Sequence, residues 1–90
     1  QLIKLTREIG QLIYLKKLDL SFNELTSLPS EVGQLTNLTN LDLRYNALTN
    51  LPAAIGQLAQ LTELDLRDNP LNQAQLAKIK RWLPNCEILF

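Results

Sequence analysis

Few residues of this chain have the types and spacing that catalysis or metal binding requires. The sequence contains no histidine, so a Ser-His-Asp or Cys-His arrangement and a histidine-based metal site are excluded. The single cysteine, Cys86, cannot build a thiolate zinc site and has no base in the chain to activate it. We therefore expect a buried thiol at Cys86, no catalytic residue, no cofactor and no metal site.

Glycine and asparagine each recur at one fixed interval, and that interval decides what they can do. The glycines are Gly10, Gly33 and Gly56, and three of the eight asparagines, Asn23, Asn46 and Asn69, share one position of the same interval. A phosphate-binding loop needs glycines a few residues apart, whereas these lie 23 residues apart. A lone asparagine is a poor ligand, but its amide can satisfy the backbone where a chain turns. We therefore predict a structural role for both sets, with the asparagines forming a ladder.

The charged residues argue against binding to nucleic acid or insertion into a membrane. Basic and acidic residues number nine each, and the densest basic cluster is Lys78, Lys80 and Arg81. A solvated helix face commonly looks like this, and nucleic-acid binding needs a larger basic patch. No apolar run approaches the ~20 residues of a membrane span. Because one cysteine cannot form an internal disulfide, we expect a cytoplasmic location, with a secreted bacterial protein left open.

The elements that position these residues follow from a 23-residue repeat. Its opening part, L-x-x-L-x-L-x-x-N-x-L, occurs at 15–25, 38–48 and 61–71, and the remainder follows L-x-x-L-P-x-x-I-G-Q-L. This signature resembles that of the leucine-rich-repeat family. The consensus sequence of the repeat is similar to those of bacterial members and of the repeat arrays attached to Ras-like GTPase proteins. The resemblance covers nearly the whole chain.

The residues themselves indicate short strands joined by segments without long helices. Leu18 and Leu20 face one side of a strand while Asp19 faces the other, because they alternate. Pro29 and Gly33 prevent a long helix in the segment that returns to the next strand. No unit buries its leucines alone, so equivalent strands stack in parallel. The resemblance implies an α/β fold, a right-handed solenoid with a concave parallel sheet, an irregular or 3₁₀ convex side and a C-terminal cap.

We expect a single domain, residues 1–90, in which the repeats end in a cap. The predicted parts are a partial repeat at 1–14, repeats at 15–37, 38–60 and 61–71, and the cap at 72–90. Asn72 and Gln75 have the spacing of a helix N-cap box, and Pro84 is a stop signal. A helix is therefore predicted to begin after Asn72.

A last strand is predicted at Cys86–Phe90, where Ile88 and Phe90 alternate with their neighbours. Its register is offset by one residue from the repeat, and we expect it to help seal the core. Trp82 is assigned to the same seal, with an exposed binding role as the alternative.

Side chains between the leucines of the concave face are free to bind a partner, as the resemblance implies. The predicted protein-binding residues are Lys17, Asp19, Phe22, Asn40, Asp42, Arg44, Tyr45, Glu63, Asp65, Arg67 and Asp68, with Ser21 in the same rows. They make the face mildly acidic. Phe22 and Tyr45 should lie side by side as anchors, because stacked strands are ~4.8 Å apart. The alternative is a column that tolerates any side chain.

The aspartates of this face form one predicted column, Asp19, Asp42 and Asp65. Like charges in neighbouring strands repel each other unless Arg44 and Arg67 compensate them. We attribute the column to the frequent Leu-Asp-Leu usage of the family, in preference to a cation site.

These features predict a module that binds another protein and has no enzymatic activity. Two alternatives stay open: a targeting part of a larger enzyme, such as a GTPase or an effector ligase, and a structural or engineered minimal solenoid. Gln1 falls inside a repeat and no methionine is present, so we expect a piece of a longer protein. An uncapped first coil also predicts self-association through its exposed edge.

Overall fold

A computed structural model describes residues 1–90 and has four short strands, one α-helix and three 3₁₀ helices. The strands are β1 (Lys17–Asp19), β2 (Asn40–Asp42), β3 (Glu63–Asp65) and β4 (Glu87–Leu89), the α-helix is α1 (Gln73–Trp82), and the 3₁₀ helices are Arg7–Gln11, Ser30–Gln34 and Ala53–Gln57. All strands pair in parallel, in the order β1-β2-β3-β4. The predicted α/β solenoid with a 3₁₀ convex side is confirmed.

The sheet register repeats because the same leucine of each coil enters the core. Leu18 pairs with Leu41, and Leu41 pairs with Leu64, so β1, β2 and β3 follow the 23-residue period. Leu64 then pairs with Ile88 of β4, which lies 24 residues further along the chain. The predicted one-residue offset of the last strand is confirmed.

The core lies between the sheet and the 3₁₀ helices, and aliphatic side chains fill it almost entirely. Seventeen buried apolar residues form one cluster, because each coil covers the leucines of the next. Leu35 is completely buried, whereas the equivalent Leu12 is 52% exposed. Within residues 1–90 the coil that carries Leu12 has a neighbour on one side only, which explains the difference.

The 3₁₀ helices pack closely because a glycine lies where neighbouring coils touch. A Cβ atom added to Gly33 would lie 2.6 Å from the carbonyl oxygen of Ala54 and 3.0 Å from its Cβ. No other residue fits at that separation without a shift of the backbone. The repeated glycine therefore sets the spacing between coils.

The asparagines form the predicted ladder at the point where each strand ends. The Nδ2 of Asn46 donates to the carbonyl oxygens of Leu20 (2.9 Å) and Leu43 (3.1 Å), and its Oδ1 accepts the backbone N–H of Leu25 (3.0 Å). Asn69 makes the equivalent bonds one coil further on. Each side chain thus connects two successive coils through backbone groups that the turn leaves unpaired.

The C-terminal helix begins and ends as its sequence predicts. The Oδ1 of Asn72 accepts the backbone N–H of Gln75 at 2.9 Å, and α1 ends at Trp82. Ile79 is fully buried, and Trp82 is half-buried against the core. Trp82 therefore belongs to the seal, as predicted.

The prediction that the last strand extends to Phe90 and uses it to seal the core is wrong. β4 ends at Leu89, and Phe90 stays exposed with the Nζ of Lys80 at 4.5 Å from its ring centroid. Ile88 packs against the core without it. Phe90 lies past the last strand pair, so no neighbouring strand holds its side chain inward.

Candidate functional site

Two rows of side chains cross the sheet on the face opposite the core, which we call the concave face. The first row is Lys17, Asn40, Glu63 and Glu87, and the second is Asp19, Asp42, Asp65 and Leu89. They occupy the strand positions on either side of the central Leu18, Leu41, Leu64 and Ile88. The members of both rows on β1, β2 and β3 border a groove of about 280 Å³. Strand alternation places these side chains, so their positions are set by the leucine core behind them.

A chain of ion pairs holds the middle of the concave face. Arg44 binds Asp42 through Nε and Nη2 (3.0 and 2.9 Å), and its Nε lies 3.5 Å from Asp65. Arg67 binds Asp65 through Nε and Nη2 (3.0 and 2.7 Å). Hydrogen bonds from Arg67 lower the pKa of Asp65, which is the one buried charged residue of the chain. The arginines therefore compensate the second and third aspartates of the column.

The carboxylate of Asp19 has a different environment. Its Oδ1 accepts the hydroxyl of Ser21 at 2.6 Å and the Ser21 backbone N–H at 2.9 Å. The Ser21 hydroxyl is the main cause of the lowered pKa of Asp19. No cation lies at ion-pairing distance from this exposed side chain. Asp19 thus has no ion-pair partner, and Arg44 acts on it only from a distance.

Glu63 and Glu87 also lack an ion-pair partner. They are paired across β3 and β4, and Glu63 accepts one hydrogen bond, from the Nδ2 of Asn40 at 3.3 Å. Neither glutamate forms an ion pair. The first row consequently ends in two adjacent negative charges.

The predicted aromatic pair forms at the edge of the concave face. The ring centroids of Phe22 and Tyr45 are 4.6 Å apart with an interplanar angle of 12°. Phe22 is 58% exposed and Tyr45 is 48% exposed, so neither ring belongs to the core. Asp68 occupies the same column in the next coil and is exposed without an ion pair.

The backbone at these three positions was not foreseen from the sequence. Phe22, Tyr45 and Asp68 have φ values of 59°, 56° and 62°, in the left-handed region that bulky side chains rarely adopt. The ladder asparagine follows each of them, and the N–H groups of Phe22 and Tyr45 donate to the next coil. The turn is therefore imposed by the repeat, whatever side chain stands there.

Glu87 and Leu89 are concave-face residues that sequence reasoning did not include. They come from β4, where they flank the inward Ile88. The alternation around Ile88 carried this signal, but β4 lies outside the repeat. Leu89 lies opposite Asp65 in the register, next to the buried carboxylate.

The remaining candidate groups lie away from the concave face. Cys86 is half-buried in the cap, and burial is the main reason that the pKa of its thiol is raised. Lys78, Lys80 and Arg81 are exposed on α1. No group of histidine, cysteine, aspartate or glutamate side chains has the arrangement to hold a metal ion. None of the helices is long and apolar enough to cross a membrane.

Comparison with known proteins places this geometry in a family. Two family models described as leucine-rich repeats match the chain, one over residues 13–71 and the other over residues 60–86. No curated protein matches it. A solved structure of a leucine-rich-repeat protein from Leptospira interrogans is similar to 98% of the chain, with 45% identity and a TM-score of 0.96. This chain spans 22% of the length of that protein.

The sequence matches and the structural match agree on one architecture. The first family model covers more than half of the chain, and the repeat it describes is the one that builds the leucine core and the asparagine ladder. The chain belongs to the leucine-rich-repeat family.

Proposed function

We propose that this chain is a non-catalytic protein-binding module that contacts its partner through the concave face. Leucine-rich-repeat domains are generally protein-interaction modules, and they are typically non-catalytic. The exposed stack of Phe22 and Tyr45 is the observation that carries the proposal. Exposed aromatic rings that serve no purpose in the core are typical anchors of an interface.

The proposed contact residues share the concave face and its aromatic edge. They are Lys17, Asp19, Phe22, Asn40, Asp42, Arg44, Tyr45, Glu63, Asp65, Arg67 and Asp68. The ion pairs of Arg44 and Arg67 fix four of these side chains before a partner arrives. Such preorganisation lowers the entropy lost on binding.

The size of the surface supports weak binding by the isolated chain. Three strands with about five exposed residues each present on the order of 300 Å², from strand rise and spacing. A stable interface needs about 800 Å² per partner. Because the chain spans 22% of its solved relative, we propose that it works within a longer array. We also propose a cytoplasmic location, because the single Cys86 cannot form an internal disulfide. A role as the targeting part of a larger enzyme would use the same face.

The double variant Phe22→Ala/Tyr45→Ala tests this function. We expect partner affinity to fall by more than ~1 kcal/mol, because binding anchors are lost. The free energy of unfolding should change by about 1 kcal/mol or less, because both sites are exposed. The partner is captured from native lysate with the full-length protein and identified, and its affinity is then measured alongside thermal unfolding.

The matched control is Thr49→Ala/Gln60→Ala, which truncates two exposed side chains outside the concave face. It should leave both affinity and unfolding unchanged. Full affinity in a folded Phe22→Ala/Tyr45→Ala protein would contradict the proposed site.

A second surface of the 90-residue chain predicts self-association. Ile3 is 71% exposed and Tyr14 is 84% exposed, and they belong to an apolar surface at the first coil, where Leu12 and Ile13 are also exposed. The outer edge of β1 beside them has no paired strand. Exposed edges and apolar patches favour association. Sedimentation at rising concentration should show dimers or larger species.

Charge substitutions locate this contact. Ile3→Lys/Tyr14→Lys should restore the monomer, whereas Phe90→Lys at the opposite end of the solenoid should not. If the unsubstituted 90-residue chain stayed monomeric at millimolar concentration, the prediction would be refuted.

A further inference from the structure

We propose that the protein segment bound by the concave face carries an arginine or lysine side chain close to an apolar one. The basic group would lie in the groove between Asp19 and Glu63, and the apolar group would cover the stack of Phe22 and Tyr45. This inference rests on the proposed function and specifies the chemistry of its partner.

Charge complementarity selects the basic group. Arg44 and Arg67 compensate Asp42 and Asp65 within the face. Asp19, Glu63 and Glu87 then leave three negative charges, and Lys17 supplies the one remaining positive charge of the two rows. An acidic segment would meet like charges along this face, which disfavours such a partner.

Unused hydrogen-bond acceptors on the concave face also favour a basic side chain in the partner. Both hydrogen bonds to Asp19 go to Oδ1, and the single bond to Glu63 goes to Oε1. Asp19 Oδ2 and Glu63 Oε2 accept no hydrogen bond from the chain. Ionised carboxylates only accept, whereas guanidinium and ammonium groups only donate. A basic side chain in the groove therefore supplies what both carboxylates lack.

The exposed aromatic pair at the edge of the concave face favours an apolar side chain as the second group of the partner. The stacked rings of Phe22 and Tyr45 lie at the ends of the same two coils that bring Asp19 and Asp42 to the groove. Stacking buries one face of each ring against the other, and about half of each side chain remains exposed. Burial of this remainder under an apolar side chain adds to the ionic contact.

Peptide selection tests the inference with a probe of known composition. A phage-displayed library of short random peptides is selected on the immobilised chain, and the affinities of the selected peptides are measured in solution. We expect enrichment of arginine or lysine together with an apolar residue. Asp19→Asn/Glu63→Gln should weaken the selected peptides about two- to thirtyfold, since the two exposed ion pairs that are lost contribute ~0.2–1 kcal/mol each.

A matched control has the same change in net charge at other sites. Glu8→Gln/Glu24→Gln removes two exposed carboxylates outside the concave face and should leave affinity unchanged. Raised salt should weaken the peptides bound by the parent and have little effect on Asp19→Asn/Glu63→Gln.

The outcomes separate this inference from the proposed function. Peptides that lose affinity in Phe22→Ala/Tyr45→Ala but are not basic, or that are unaffected by Asp19→Asn/Glu63→Gln, would overturn the inference alone. Peptides insensitive to both double variants, or a selection that yields no binder, would count against the concave face altogether.

Discussion

Asn46→Ala is expected to lower the free energy of unfolding by about 2–4 kcal/mol. The substitution leaves the carbonyl oxygens of Leu20 and Leu43 and the N–H of Leu25 without their side-chain partner. Each backbone group left unsatisfied in a buried position costs about 1–3 kcal/mol, and water can reach part of this half-buried turn. The loss is measured by denaturant and thermal unfolding of the variant and its parent.

Asn50→Ala is the control, because Asn50 is an exposed asparagine of the same repeat and makes no side-chain hydrogen bond within the chain. It should unfold within about 0.5 kcal/mol of the parent. Equal stability of Asn46→Ala and Asn50→Ala would show that the ladder does not stabilise the fold.

Gly33→Ala is expected to destabilise the chain by about 1–3 kcal/mol, although alanine is the better helix former. The added methyl would lie 2.6 Å from a backbone oxygen of Ala54, and overpacking at such a contact forces the two coils apart. The φ of Gly33 is not positive, so the cost comes from the close approach and not from backbone strain. Thermal unfolding measures it.

Gly56→Ala provides the comparison within the same repeat position. Its added methyl would meet Trp82 first, with the Cβ at 3.2 Å and the carbonyl oxygen at 3.4 Å. These separations need a shift of a few tenths of an ångström, so the destabilisation should be smaller than for Gly33→Ala. If Gly33→Ala were as stable as the parent, the spacing between coils would not depend on this glycine.

The parts of the fold that follow from periodicity could be predicted from the sequence. Each ladder asparagine and each leucine of a strand has the same neighbours in every coil, so one repeat predicts the next. Asn72 capped its helix as expected because an N-cap depends on residues three positions apart. The adjacency of Phe22 and Tyr45 followed from the same period.

Features outside the period could not be predicted in the same way. The exposure of Phe90 depends on where the last strand pair ends, which the repeat does not determine. Glu87 joins the concave face through a strand offset by one residue. The left-handed backbone at Phe22 is imposed by the turn, against the preference of its own side chain. The choice of contact residues for a partner stays a prediction.

The succession of coils also bears on how the chain acquires its structure. Each strand pairs with the strand about one repeat away, and the three 3₁₀ helices contact one another in sequence order. Most contacts therefore join segments separated by a similar, moderate length of chain, which keeps loop closure inexpensive. In such a one-dimensional system, ordering can begin at one coil and extend to its neighbours. The middle coil, where Leu38, Leu43 and Leu48 are completely buried, is the best-covered starting point, and within residues 1–90 the first coil, with Leu12 and Ile13 exposed, is the least covered.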